Sequence, residues 1–229
     1  MARAPETGSD VHRERRRAVL ETAARLICAK GYEATSVQDI ADACKLTKAG
    51  LYYYIRSKED LLREIQSYGM DIFEERVLLP VQAIADPLER LKVCMERNIH
   101  LVTEEWSKEV TIILHEHETL TGAARQQINA RKKRYVDFLE TAFAEAAREG
   151  RIRPVEPTVA AFSFLGMILW IYKWYRPGGR ISADRLAAEM QDLFFGGLET
   201  SPAKRSRRQG PSKSTRKPAA QRSRKGASG

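Results

Sequence analysis

The chain has 229 residues, 43% of them hydrophobic, which allows one sizeable core or two modest ones and excludes a wholly disordered protein. The formal net charge of +9 does not indicate a uniformly basic body. The last 29 residues hold ten Lys or Arg and no Asp or Glu, which leaves residues 1–200 with 29 basic and 30 acidic side chains.

The first predicted helix begins at Ser9 or Asp10 and ends at Gly31. Its apolar residues recur at helical spacing and form one stripe, made of Val19, Leu20, Ala23, Ala24, Leu26 and Ile27. The segment before it lacks the apolar run of a signal peptide. We therefore expect a cytoplasmic protein.

Two short helices follow, separated by a tight turn. The segment "TSVQDIADAC" offers two candidate caps for the second helix, Thr35 and Ser36. Thr47 is the candidate cap of the third helix, which Leu51 and Ile55 would anchor to a core. A short helix, a four-residue connection and another short helix make up the helix-turn-helix plan.

Residues 35–62, "TSVQDIADACKLTKAGLYYYIRSKEDLL", resemble the DNA-binding signature of the TetR family of transcriptional repressors. The match lies in the capped second helix, the Ile-Ala pair, "LYYY" and "SKEDLL". The chain departs from the family at Lys45, where Gly is usual, and at Tyr54 and Ile55, where an aromatic Phe is usual. Lys45 is expected either to adopt a left-handed backbone or to shift the turn.

The resemblance implies that the third helix enters the major groove of DNA. Small residues in its first turn would let the backbone approach the bases, Tyr52 and Tyr53 would face DNA, and Lys58 would reach a phosphate. Tyr54 is expected to pack inward. By spacing alone, three tyrosines belong more often to a core or an interface. The predicted DNA-binding residues are Thr35, Ser36, Thr47, Lys48, Ala49, Gly50, Tyr52, Tyr53 and Lys58.

The rest of the body is predicted to be a second helical module. Ser57 and Asp60 suggest a capping box for a helix that runs to Ala85 with a bend at Pro80. Further helices are predicted over residues 86–105, 107–119, 121–149, 157–175 and 182–195. We therefore predict an all-α chain with a helix-turn-helix domain at 1–56. By resemblance to the family, residues 57–200 form a helical ligand-binding and dimerisation domain.

Within this module, "AFSFLGMILWIYKWYRPGGRIS" is apolar on nearly every side of the helix. One core face does not need so much apolar surface, so a second partner surface is expected, and a homodimer would supply it. The segment is also similar to TetR repressors that respond to acyl-CoA thioesters in fatty-acid or steroid catabolism. That similarity implies a ligand site at Phe164, Ile168, Trp170, Lys173 and Trp174. Alternatively, Trp170 and Trp174 fill the core or the dimer seam.

Two polar stretches are weaker candidates for ligand binding than this apolar segment. "RKKRY", residues 131–135, offers four cations for the phosphates of CoA, although such a run is more often a solvated helix face. In "HEHE", His115 and His117 point to different sides of a helix and lack the HExxH spacing, so no metal site is predicted. Cys28, Cys44 and Cys94 show no CxxC spacing, so neither a zinc site nor a disulfide framework is predicted.

The last residues, 201–229, are predicted to form a disordered basic tail, because they offer little to bury and repel one another. The tail either attracts DNA phosphates without sequence preference or only keeps the chain soluble. The longest apolar run, residues 162–172, is far shorter than the roughly 20 residues of a membrane span, so no membrane partner is expected.

The sequence contains no P-loop, no glycine-rich dinucleotide turn and no GxSxG motif, so neither an enzyme nor a cofactor is predicted. We expect a repressor that binds a palindromic operator as a homodimer and that a small apolar ligand releases, with an acyl-CoA the class implied by resemblance. The alternative is a constitutive, nucleoid-type DNA-binding protein that uses its basic tail and has no inducer. An internal cavity would favour the ligand-responsive repressor.

Overall fold

In the computed structural model, residues 8–103, 107–116 and 119–198 are described, and every regular element within them is a helix. This confirms the predicted all-α class. The predicted basic tail, residues 201–229, lies outside the described residues. The elements are α1 (Gly8–Lys30), α2 (Val37–Ala43), α3 (Lys48–Tyr52), α4 (Lys58–Phe73), a π-helical turn π1 (Glu74–Leu78), α5 (Leu79–Gln82), α6 (Pro87–Thr103), α7 (Ser107–His115), α8 (Gly122–Arg148), α9 (Pro157–Leu169), α10 (Ile171–Trp174) and α11 (Ala183–Gly196).

Side-chain caps fix where α2 and α3 begin. The Asp39 backbone N–H donates to Ser36 Oγ at 3.0 Å, and Ser36 N donates to the Asp39 carboxylate at 2.8 Å, which completes a capping box. The Ser36 hydroxyl, which donates to the Asp39 carboxylate at 2.6 Å, and then the Ser36 backbone N–H lower the pKa of Asp39. Thr47 Oγ1 accepts from Gly50 N at 3.0 Å and caps α3. Of the two candidate caps of α2, only Ser36 therefore fills that position.

The turn between α2 and α3 closes around Lys45, whose φ of 56° lies in the left-handed region. Leu46 N donates to Ala41 O at 2.9 Å, and Lys45 N donates to Asp42 O at 3.0 Å. This pair of hydrogen bonds is a Schellman motif, in which the left-handed position is usually glycine. The expected left-handed backbone at Lys45 is confirmed, and the turn keeps standard geometry.

The buried apolar side chains form two cores, and α4 contributes to both. The N-terminal core joins α1–α3 to α4 as far as Met70 and to residues around the α7–α8 junction. The second core lies among π1, α5, α6 and α8–α11. The N-terminal core continues past the predicted domain boundary at residue 56, because it includes Leu61, Ile113 and Ile128. That boundary stays a prediction.

The predicted helix from Ser57 to Ala85 is interrupted before Pro80 by π1. Pro80 has no backbone N–H, so the carbonyl of Arg76 cannot accept the usual helical hydrogen bond from it. The Arg97 guanidinium donates to that carbonyl instead, at 3.1 Å. The helical segment then ends at Gln82, earlier than predicted.

Other predicted spans differ from the structure at their ends. Asp86 caps α6, because its Oδ1 accepts from Leu88 N and Glu89 N at 2.9 and 3.0 Å. The helix predicted over residues 157–175 is broken at Trp170, where α9 ends before the short α10. At the last helix, Ser182 Oγ accepts from Arg185 N at 3.2 Å, which confirms the predicted cap of α11.

Candidate DNA-binding surface and effector domain

The helix α3 and the residue after it present one exposed surface. Leu51 and Ile55 are buried in the N-terminal core, so the opposite side of this short helix faces solvent. Tyr52 is exposed, and Tyr53 is 72% exposed. Thr47, Lys48 and Ala49 are also exposed, and Gly50 is half-buried beside them. The structure therefore brings six of the nine predicted DNA-binding residues together on one face.

The other three predicted residues lie differently. Ser36 is exposed, but its hydroxyl hydrogen-bonds with Asp39. Lys58 is half-buried, and its ammonium nitrogen lies 4.1 Å from the centroid of the Tyr32 ring. Thr35 is fully buried, and its Oγ1 donates to the Gly31 carbonyl at 2.8 Å. Because its side chain has no surface for a DNA contact in this conformation, we leave Thr35 out of the proposed interface.

The N-terminal turns of α1 hold this helix-turn-helix in place. Arg15 Nη2 donates to the Cys44 carbonyl at the end of α2, at 3.3 Å. Arg16 Nε donates to the Tyr54 carbonyl at 3.4 Å, and its guanidinium also pairs with Glu64 of α4. These contacts were not predicted from the sequence. The run "HRERRR" is a visible signal, but helical periodicity does not show which of its cations face the neighbouring helices.

The structure separates the predicted ligand-binding residues into two groups. Phe164 and Ile168 are fully buried in the second core. Trp170 is 61% exposed, Trp174 is 49% exposed and Lys173 is also exposed. The exposure of the two tryptophans contradicts the alternative in which they fill the core of one chain. The alternative in which they lie at a dimer seam stays open.

Two cavities lie elsewhere on the described part of the chain. One, of about 550 Å³, lies between π1 and α6, where Glu75, Arg76, Glu96 and Arg97 give it a charged lining. The other, of about 520 Å³, lies between residues 153–163 and the end of α11. None of the five predicted ligand-binding residues lines either cavity.

The cations of "RKKRY" are engaged within the protein. Arg131 donates to Glu74 and Asp71 at 2.8 and 2.7 Å, which ties α8 to π1 and α4. The bond from Arg131 is the largest cause of the lowered pKa of Glu74. Lys132 Nζ donates to the Ile113 carbonyl of α7 at 2.6 Å, and burial lowers the pKa of Lys132 to about 8. These two cations therefore join helices and are poorly placed to hold the phosphates of CoA.

The junction between α7 and α8 contacts the helix-turn-helix domain. Glu116 Oε1 accepts from the backbone N–H of Tyr32 at 3.2 Å, and Thr121 Oγ1 donates to Glu59 at 2.8 Å. Leu120, between these contacts, is fully buried in the N-terminal core. On its other side, the junction reaches α10, because the His115 imidazole hydrogen-bonds with the Tyr172 hydroxyl. The junction thus links α10 to the helix-turn-helix domain at Tyr32 and Glu59.

The predicted absence of a metal site concerns His115 and His117, and His117 lies outside the described residues. Among the described residues, no three His, Cys, Asp or Glu side chains cluster closely enough to hold a metal ion. In the same residues, no helix combines the length and apolar character needed to cross a membrane.

Comparison with known proteins identifies the family. A family model for "Bacterial regulatory proteins, tetR family" matches residues 19–65, and one for "Tetracyclin repressor-like, C-terminal domain" matches residues 85–198. The chain is 64% identical to AibR in its crystal structure with isovaleryl coenzyme A and operator DNA. The match has a TM-score of 0.75 and covers 78% of this chain and 97% of AibR. The chain belongs to the TetR family. The predicted resemblance to that family is confirmed.

Other TetR-family relatives match over most of their length. The chain is 28% identical over 190 residues to the transcriptional repressor KstR2 of Mycobacterium tuberculosis, covering 80% of this chain and 92% of KstR2. The structure of PfmR from Thermus thermophilus matches with 33% identity and a TM-score of 0.71, covering 80% of this chain and 99% of PfmR. These relatives are regulators of transcription, and both matching family models describe regulators rather than enzymes.

Proposed function

We propose that this TetR-family protein is a ligand-responsive repressor that binds a palindromic operator as a homodimer and is released by an acyl-CoA thioester. The observation that supports an operator and an acyl-CoA as partners is the 64% identity to AibR, which was crystallised with isovaleryl coenzyme A and operator DNA in one complex. That the acyl-CoA releases the DNA is the part of the proposal that the release assay below tests. That similarity extends over 97% of AibR, so it includes both the helix-turn-helix and the effector domain. The alternative, a constitutive nucleoid-type DNA-binding protein without an inducer, has no comparable support.

The exposed face of α3 is the proposed DNA contact. Thr47 and Ala49 leave room for the helix to approach base edges, while Lys48 and the tyrosine hydroxyls donate to phosphates. Ser36, Gly50 and Lys58 border this face. In a symmetric dimer, two such helices would enter successive major grooves about 34–36 Å apart, which requires a palindromic operator.

The proposed subunit interface is the outer surface of α9 and α10. Val159, Phe162, Trp170 and Trp174 are exposed there, while Ala161, Phe164 and Ile168 pack into the second core. An apolar stripe of this length is unusual on the surface of a monomer. A second copy of the chain would cover it by placing the same surface against itself around a two-fold axis.

The effector would occupy the second domain. An acyl group would lie beside Phe164 and Ile168 in the second core, and Lys173 would meet the CoA portion at the surface, while Trp170 and Trp174 belong to the proposed subunit interface. Because these residues lie on different sides of the helix, binding would require α9 and α10 to rearrange. Trp170 is the proposed hinge, since the helix is already interrupted there. Release then needs a coupling of about 1–3 kcal/mol, a roughly 5- to 150-fold loss of DNA affinity.

Operator selection tests the DNA contact. The purified protein is used to select bound fragments from genomic DNA, and the selected sites are titrated with variants. Lys48→Ala and Tyr52→Phe are each expected to weaken binding by about 1–3 kcal/mol. Lys133→Ala, which removes an exposed cation from α8, is the control and should bind normally. Normal binding by both α3 variants would remove α3 from the interface.

A DNA-release assay tests the effector class. Isovaleryl-CoA and longer acyl-CoAs are added to the operator complex, with free CoA and the free acids as controls. The thioesters should release DNA and the controls should not. Equal effects of thioester and acid, or no effect of either, would contradict the acyl-CoA assignment. Loss of operator preference in a chain ending at Ser201 would favour the constitutive alternative.

A further inference from the structure

We infer that His12, on α1, is a positioning residue that holds Tyr53 in its DNA-binding orientation. This inference rests on the proposed function, because it takes the exposed face of α3 to be the DNA contact. His12 is half-buried, and its ring lies among the rings of Tyr53 and Tyr54. The three rings form an aromatic cluster at the end of α3, which we call the His12 cluster.

The geometry of the His12 cluster is that of mutually packed rings. The centroids of His12 and Tyr53 are 5.2 Å apart, with the ring planes at 81°. His12 stacks on Tyr54 at 5.4 Å and 27°, and the two tyrosines meet edge to face at 5.1 Å and 88°. These separations and angles are those at which aromatic rings attract one another. The Tyr53 ring is therefore held from two directions although its side chain is mostly exposed.

The position of His12 does not depend on Tyr53. Val19 and Leu20, two turns along α1, are buried in the N-terminal core. Arg15 and Arg16, one turn along, hydrogen-bond to the carbonyls at the ends of α2 and α3. The helix that carries His12 is thus fixed to the helix-turn-helix by contacts that exclude the aromatic rings, so the backbone position from which the imidazole packs on Tyr53 is independent of Tyr53.

An ordered tyrosine binds more favourably than a mobile one. Fixing an exposed side chain on binding costs roughly 0.5–1.5 kcal/mol of conformational free energy. Packing by His12 and Tyr54 restricts Tyr53 before DNA arrives, so less of that cost remains on binding. Since His12 acts through Tyr53, its removal should matter only while Tyr53 is present.

The test is a double-mutant cycle measured by operator titration of the full-length dimer. His12→Ala should weaken binding by about 3- to 10-fold, whereas His12→Phe, which keeps a ring and removes both nitrogens, should restore affinity to within about 2-fold. His12→Ala should have no further effect in a Tyr53→Ala background. Val11→Ala, at the neighbouring exposed position, is the matched control and should bind as the unmodified protein does.

The cycle distinguishes packing of His12 on Tyr53 from a direct contact between His12 and DNA. If His12→Phe loses as much affinity as His12→Ala and the salt dependence of binding becomes shallower, His12 contacts a phosphate and the inference is overturned. If the losses of operator affinity from His12→Ala and Tyr53→Ala are additive in the double variant, the inference is also overturned. If Tyr53→Ala binds operator normally, the proposed DNA contact at Tyr53 is wrong. If Tyr53→Ala weakens binding and His12→Ala does not, only the inferred role of His12 is refuted.

Discussion

Replacing Gln66 with methionine should stabilise the protein. Gln66 lies on α4 and is fully buried, and neither its Oε1 nor its Nε2 has a hydrogen-bond partner within the described residues. One turn further on, the same side of α4 packs closely against α7. A Cβ added at Gly69 would lie 2.5 Å from Ile113 Cδ1 and 3.3 Å from Glu109 Cβ. The amide of Gln66 is therefore enclosed in a tightly packed helix contact.

The size of the effect follows from the two unpaired atoms. An unsatisfied buried polar group costs about 1–3 kcal/mol, because it loses its hydrogen bonds to water and gains none in the fold. Methionine has nearly the same length and flexibility as glutamine and removes both polar atoms. We expect Gln66→Met to raise the free energy of unfolding by about 1–3 kcal/mol. For a chain of this size, the midpoint of thermal unfolding should rise by about 2–12 °C.

Thermal and urea unfolding at one fixed protein concentration measure this change, because the stability of the proposed dimer would depend on concentration. Gln127→Met, at an exposed position of α8, is the matched control and should change the free energy of unfolding by no more than about 0.5 kcal/mol. If Gln66→Met is neutral or destabilising relative to this control, the amide has hydrogen-bond partners in the native protein. The enclosed, unpaired state described for Gln66 would then be incorrect.

Three further predictions concern charge, coupling and assembly. Lys132 has a pKa of about 8 in the fold and about 10.4 when unfolded, so the unfolded chain binds more protons between these values. The free energy of unfolding should therefore rise from about pH 8 to pH 10, and Lys132→Met should flatten that rise in urea titrations. Glu116→Ala should speed hydrogen exchange at the Tyr32 amide by about 5- to 30-fold, and unchanged exchange would exclude this contact. If the proposed dimer forms through α9 and α10, Phe162→Glu should convert it to monomer in sedimentation experiments, whereas Leu79→Glu, at an exposed position on α5, should not. A dimer that survives Phe162→Glu would place the interface elsewhere.

The parts of the fold set by local sequence were predictable. Caps need only residues a few positions apart, so Ser36, Thr47 and Ser182 could be recognised without knowing the rest of the structure. The left-handed backbone at Lys45 was one of two outcomes expected from the position that the family gives to glycine. The long helix through Pro80 was only partly predictable. The substitute donor for its broken hydrogen bond comes from Arg97 on another helix, which local sequence does not reveal.

The candidate site also has features that could be predicted from the sequence and features that depend on contacts from elsewhere in the chain. The exposure of Tyr52 and Tyr53 agrees with what the family resemblance implied, whereas spacing alone favoured a core or an interface for the three tyrosines. The burial of Thr35 depends on its bond to Gly31, which belongs to the loop and not to a helix pattern. The exposed position of Trp170 could not be predicted, because a helix that is apolar on all sides does not reveal which side a partner covers.

The π-helical turn at Glu74–Leu78 lies where one nearly continuous rod passes from the N-terminal core to the second core, which Ile72 of α4 already reaches. A π turn holds about one residue more than an α turn, so the side chains beyond it are rotated by roughly 100° relative to an uninterrupted helix. Leu62 and Ile65, before the turn, pack in the N-terminal core, and Val77 and Val81 pack in the second core. The turn thus changes which side of the rod carries the buried side chains. Deleting one residue there would turn the second set of side chains away from their core. Insertions and deletions in this segment should therefore be far less tolerated than point substitutions.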